Sequence, residues 1–193
     1  MWPCFNGEGF LLNNVQNDRR SIRTHAILLA SFKDLVRTRD ADKISVSDIT
    51  DHAGVGRKTF YRHFECREDI FFEVCDELVE RYRHEVGSVA PTVPWSEFAR
   101  ITMIWFGNQD PYVVQILANP SYHYPYYERI IMGFAKANRR RVDLFSTMTP
   151  DEQELYTGFP ISQVIALFAR WVKSGRKVPL EKVIYFASKL FVP

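Results

Sequence analysis

The sequence predicts an all-α protein of about nine helices, with an N-terminal three-helix helix-turn-helix domain followed by a larger C-terminal helical domain. Three observations predict it. Apolar residues recur at helical spacing along most of the chain, and no convincing strand pattern interrupts them. Residues 44–64, ISVSDITDHAGVGRKTFYRHF, join a short capped helix to a basic one through Ala53-Gly54-Val55-Gly56. Pro91 and Pro94 then stop a long helix and separate two helical regions.

Residues 1–17 mix Gly7, Gly9, Asn6, Asn13 and Asn14 with Phe5, Phe10, Leu11 and Leu12 in no regular period, and are taken as an extension of uncertain order. Gly7-Glu8-Gly9 is too short and isolated to be a phosphate loop. The first helix is expected over 19–38. Ser45 followed by Asp48 resembles a capping box, so a second helix is predicted to start at Val46. Val46, Ile49 and Ala53 fall on its inner face, with Ser47, Asp51 and His52 outward. Gly54 supplies the residue able to take positive φ, and Val55 is expected to tuck between the helices.

The next segment, residues 57–64, contains Arg57, Lys58, Arg62 and His63 and no acidic residue, with Phe60 and Phe64 spaced as an inward pair. Arg57 and Lys58 stand in the first turn, where a reading helix offers side chains to base edges, while hydroxyl and basic groups on its flanks suit phosphate oxygens. The pattern also occurs in helical bundles that bind no DNA. Charge distribution favours DNA: residues 18–67 hold 11 Lys plus Arg against 7 Asp plus Glu, a net +4, while the whole chain is +2 and the remainder therefore −2.

The domains expected are the helix-turn-helix domain over 18–66 and a regulatory domain over 67–193, with the helix 67–87 as connector. Helices follow over 95–108, 111–118, 122–145, 150–174 and 179–191. Thr149-Pro150-Asp151-Glu152 is a start signal, and Pro160 is expected to bend its helix near Tyr156.

Length and composition agree: 193 residues, 46% hydrophobic and 25% charged, suit one or two globular domains. No apolar run approaches the ~20 residues that span a bilayer, and Met1-Trp2-Pro3-Cys4 lacks a secretory pattern, so no membrane partner and a cytoplasmic location are expected. Cys4, Cys66 and Cys75 show no C-x-x-C spacing, so reduced thiols are expected, with no metal site and no cofactor.

The stretch 19–72 resembles the N-terminal domain of the tetracycline-repressor (TetR) family of transcriptional regulators. The residues that carry the likeness are Ala26-Ile27-Leu28-Leu29-Ala30-Ser31-Phe32, Ile44-Ser45-Val46-Ser47-Asp48-Ile49, Ala53-Gly54-Val55, Thr59-Phe60-Tyr61-Arg62-His63-Phe64 and Arg67-Glu68-Asp69. The resemblance implies Arg57, Lys58 and Thr59 near bases, Tyr61 and His63 toward phosphates, and Arg67 as a basic group at the start of the fourth helix. The candidate DNA-contacting set is completed by Ser45, Ser47, Gly56 and Arg62. Gly56 departs from the family's usual Ser or other capping residue, which removes a phosphate contact but costs the helix only tenths of a kcal/mol. Arg19, Arg20 and Arg23 are either a minor-groove arm, as the family implies, or a solvated helix start.

For the second domain, the wide apolar faces of the last two helices, with Val164, Phe168, Trp171, Val183, Phe186 and Leu190, are the candidate dimer interface. They serve either burial within one chain or, as the resemblance implies, pairing into a four-helix bundle that suits a two-fold operator. Phe168-Ala169-Arg170-Trp171-Val172-Lys173-Ser174-Gly175 with Pro179-Leu180-Glu181 further resembles a TetR branch that includes activators of dihydroxyacetone-kinase operons. Met103, Trp105, Phe106, Tyr122, His123 and Tyr126 belong to an aromatic group that either lines a site for a small apolar or aromatic effector or fills a core. The expected function is a regulator, in the repressing sense, that binds double-stranded operator DNA as a homodimer. The alternative is a helical interaction adaptor or co-activator controlled by a protein partner. No catalytic residue is expected, because nucleophile elbow, metal spacing, paired carboxylates and phosphate loop are all missing from the sequence.

Overall fold

The computed structural model describes residues 19–87, 93–119, 127–134, 147–156 and 158–189. Among them are nine α-helices and no strand: α1 Arg19–Val36, α2 Val46–Ala53, α3 Arg57–Phe60, α4 Arg67–Glu85, α5 Trp95–Gly107, α6 Pro111–Ala118, α7 Pro150–Tyr156, α8 Phe159–Lys173 and α9 Leu180–Lys189. A 3-10 turn, Ala41–Lys43, precedes α2, and the π-helical stretch Tyr127–Met132 is the described part of the helix expected over 122–145. The chain forms two compact units that divide inside α4, between Val74 and Cys75; the sequence reading begins the second domain earlier, at Arg67.

The first unit is assembled from α1, α2, α3 and the opening turns of α4. Leu28, Phe32 and Val36 of α1, Ile49 of α2, Phe60 of α3, and Ile70 and Val74 of α4 are all fully buried. Each comes from an apolar position at helical spacing, so removal of these side chains from water holds the short helices together. Phe32 meets Phe71 edge-on, with ring centres 6.3 Å apart.

In the second unit α9 packs along α5, and α8 against α6 and α5. Its core carries aromatic rings in contact: Tyr82 with Phe134 at 4.2 Å, Phe106 with Phe134 at 5.9 Å, and Phe106 with Phe168 at 5.4 Å between centres. The buried Tyr82 hydroxyl shares a 3.2 Å hydrogen bond with the Thr102 hydroxyl.

One expectation for this unit is corrected. The helix predicted over 150–174 is broken into α7 and α8 rather than bent, because Gly158 takes φ +91° and caps α8 while Pro160 stands in its first turn. The candidate interface residues Val164, Phe168, Trp171 and Val183 are buried within their own chain, and the Trp171 Nε1–H donates to the Val178 carbonyl at 2.7 Å. Packing on α5 and α6 covers part of these wide apolar faces. Of the six, Phe186 is exposed, at 59%; Leu190 lies outside the described residues.

The start signal at Thr149 is present as read: Glu152 accepts from the Thr149 N–H at 2.7 Å and donates its own N–H to the Thr149 hydroxyl at 3.3 Å. No described helix is long and apolar enough to cross a membrane.

Candidate nucleic-acid interface

The turn between α2 and α3 is built by local chemistry. The Ser45 hydroxyl accepts from the Asp48 N–H at 3.1 Å, and the Asp48 carboxylate accepts from the Ser45 N–H at 2.8 Å, so two otherwise orphaned donors are satisfied where α2 begins. Arg39, an unforeseen participant, donates to the same carboxylate at 2.9 Å. Hydrogen bonds from the Ser45 side chain and backbone, and then from Arg39, hold the Asp48 carboxyl well below the usual carboxylate range. Gly54 ends α2 in the left-handed conformation, at φ +66°, which reverses the chain without a Cβ penalty. Val55 is half-buried below the turn.

The reading segment differs from the single helix expected over 57–64. Its α-helical part is Arg57–Phe60. Beyond it Arg62 N–H donates to Thr59 O at 3.3 Å and His63 N–H to Phe60 O at 2.8 Å, a tightened three-residue spacing, before Phe64 N–H returns to Phe60 O at 3.0 Å. Phe60 and Phe64 are inward, with ring centres 5.3 Å apart, and anchor the segment.

Arg57, Lys58, Tyr61 and Arg62 are consequently exposed on one short basic rim, and Thr59 is half-buried. The Arg57 guanidinium donates to the Ser47 hydroxyl, which joins two of the predicted contact residues. Among the described residues no carboxylate pairs with Arg57, Lys58 or Arg62. Tyr61 is 55% exposed, its ring edge-on to Phe60. An exposed, uncompensated cationic rim on a rigid turn is what phosphate and base-edge contact require. Arg19, Arg20 and Arg23 of α1 are likewise exposed.

Two predicted contact residues are engaged inside the unit instead. Arg67 Nη1 donates to the Ala41 carbonyl at 2.6 Å while Nε and Nη2 donate to Glu68 at 3.0 and 2.6 Å, so the guanidinium ties α4 to the 3-10 turn. The His63 Nε2 is buried and has no hydrogen-bond partner among the described residues. Its ring centre lies 5.6 Å from that of His25, which itself contacts Glu73 at 2.6 Å and stacks on Phe64. Burial, and then the charges of His25 and Arg62, push the His63 ring below its ordinary value. The resemblance implies DNA contact for both; the Ala41 partner of Arg67 and the His25 neighbour of His63 lie far away in sequence and leave no local signal.

Residues 28–74 match the family described as bacterial regulatory proteins, tetR family. The first unit is a TetR-family domain. The chain is 41% identical over 54 residues to the HTH-type dhaKLM operon transcriptional activator DhaS of Lactococcus lactis, a stretch that spans 28% of this chain and 29% of that relative. A TetR transcriptional regulator from Streptococcus agalactiae shares the fold, with a TM-score of 0.64 at 20% identity, over 94% of this chain and 100% of that one. FadR from Bacillus subtilis, solved in complex with stearoyl-CoA, also has a TM-score of 0.64 at 13% identity, over 86% and 96% of the two chains. Both structures extend the shared fold through the second unit.

Of the candidate effector residues there, Met103 and Phe106 are fully buried and Trp105 is nearly so; its Nε1–H donates to Glu85 at 2.7 Å. Tyr122, His123 and Tyr126 lie outside the described residues. Among the described residues no group of three His, Cys, Asp or Glu side chains is placed to hold a metal ion. Cys66 is half-buried and Cys75 buried, and burial pushes the Cys75 thiol up.

Proposed function

We propose that this chain is a cytoplasmic, sequence-specific repressor that binds a pseudo-palindromic operator as a homodimer and responds to an effector in its second unit. The observation that carries the DNA reading is the exposed basic rim of Arg57, Lys58 and Arg62 beyond the Gly54 turn, unpaired by any described carboxylate. The family of the first unit supports it. For the dimer, the supporting feature is apolar surface left on α8 and α9: Phe159, Tyr185 and Phe186 are each more than half exposed. For the effector, the supports are the aromatic assembly around Trp105 and Phe106 and the likeness to an acyl-CoA-bound regulator. Effector binding then alters the separation of the two reading helices, which breaks their simultaneous engagement.

Selection of bound duplexes from a random library tests the reading. The expected consensus holds two inverted half-sites whose centres lie about one helical turn or a multiple of it apart. Recovery of no enriched sequence overturns it. A promoter fusion carrying that consensus then distinguishes repression from the activation named for the L. lactis relative.

A further inference from the structure

Arg81 of α4 belongs to the second unit, and its guanidinium carbon sits 5.9 Å from the centre of the Trp105 ring, within cation–π range. Its Nε and Nη2 are closed off from solvent, and no described residue accepts a hydrogen bond from either. Glu85, one helical turn further on, is engaged elsewhere, since its carboxylate accepts from the Trp105 Nε1–H at 2.7 Å. Buried donors without an acceptor are costly, and more so on a cation.

The same two donors are used repeatedly in this chain. Arg129 Nε and Nη2 grip Asp76 at 2.6 and 2.7 Å, Arg100 grips Glu97 at 2.7 and 2.6 Å, and Arg83 grips Glu80 at 2.9 and 2.5 Å. This side-on edge of a guanidinium matches the two oxygens of one carboxylate. Arg81 presents that edge, desolvated and beside a tryptophan, with no carboxylate of the described residues against it. The rings of Tyr82, Phe106 and Phe134 stand 5.2, 5.8 and 6.3 Å from Trp105 and make the surroundings apolar.

We propose that Arg81 recognises an organic carboxylate with an apolar or aromatic body, its two oxygens on Nε and Nη2 and its body near Trp105. The inference rests on the proposed effector response and adds the effector's chemistry to it. Because both N–H groups are shut off from water, the packing over them must part to admit the anion.

Thermal-shift and tryptophan-fluorescence titrations of the full chain test this with benzoate and hexanoate, their neutral amides, and inorganic phosphate. A saturable rise in Tm with at least one carboxylate is expected, with affinity about ten- to a hundredfold weaker for the matching amide and for Arg81→Gln. Arg81→Met, which keeps the stem and removes the unpaired charge, is expected to have a ligand-free Tm at or above that of the native chain. Absence of saturation by both carboxylates, equal response to the amides, response to phosphate alone, undiminished binding by Arg81→Gln, or a large loss of Tm in Arg81→Met each overturns the proposal. Operator binding by the ligand-free chain is measured alongside. If it persists without any carboxylate response, Arg81 alone is misassigned; a carboxylate response without operator binding overturns the regulator reading and leaves this one standing.

Discussion

Arg57 and Ser47 are joined across the turn: the guanidinium that begins the reading helix donates to a hydroxyl on the helix before it. The bond restrains a long side chain before any base is met, so less rotamer freedom is left to lose on binding. Arg57→Ala is expected to relax discrimination between cognate and scrambled duplexes by about 1–3 kcal/mol. Ser47→Ala is expected to weaken cognate binding about two- to tenfold while changing stability by less than about 0.5 kcal/mol. Competition gel shifts and urea denaturation check both; equal losses on the two duplexes for Arg57→Ala refute base contact.

Arg67 makes a contrary prediction. Its guanidinium is held by the Ala41 carbonyl and by Glu68, so truncation removes charged donors that tie α4 to the 3-10 turn, although the Ala41 carbonyl keeps the Ile44 N–H at 3.3 Å. Arg67→Ala is expected to cost about 1–3 kcal/mol of stability. The slope of log affinity against log salt is expected to stay as in the native chain, whereas loss of a phosphate contact lowers it by about one. A reduced slope restores Arg67 to the interface.

Acid is expected to act on the first unit in two stages. Burial, and then His25 and Arg62, place the His63 ring below its ordinary 6.5, so the folded chain takes up this proton less readily than the unfolded one. Its contribution is therefore complete above about pH 6.5 and is lost as pH falls through the lower folded value. Glu73, paired with His25, faces the same cluster. Asp48, depressed by Ser45 and Arg39 below its ordinary 3.8, contributes above that pH and is lost further down. Tm is expected to be level between pH 7 and 8, to decline below about 6.5, and to fall again below about 4. His63→Gln should flatten the first decline and Asp48→Asn the second. An unchanged upper limb in His63→Gln removes His63 as its source.

Two phenylalanines of the second unit distinguish its core from the proposed dimer interface. Phe168 is fully buried against Phe106, so Phe168→Ala is expected to cost about 3–5 kcal/mol through the cavity it leaves. Phe186 is 59% exposed, so Phe186→Glu is expected to spare the folded protomer and weaken the dimer. Light scattering across a dilution series, with circular dichroism alongside, reads the two effects apart. A dimer that survives Phe186→Glu moves the interface elsewhere.

Both capping boxes, the left-handed Gly54 and the inward Phe60–Phe64 pair were legible in the sequence, because each depends on residues within about four positions of one another. The exposed rim of Arg57, Lys58 and Arg62 followed from the same spacing once the phenylalanines were placed inward. Tertiary structure alone decided that Arg67 reaches back to Ala41, that His63 turns toward His25, and that Val164, Phe168, Trp171 and Val183 face their own chain. It also decided that Arg81, beside Trp105, has Nε and Nη2 buried with no acceptor among the described residues. A helical repeat states which residues share a face; what covers that face depends on segments tens of residues away, whose approach is set by packing rather than by local propensity.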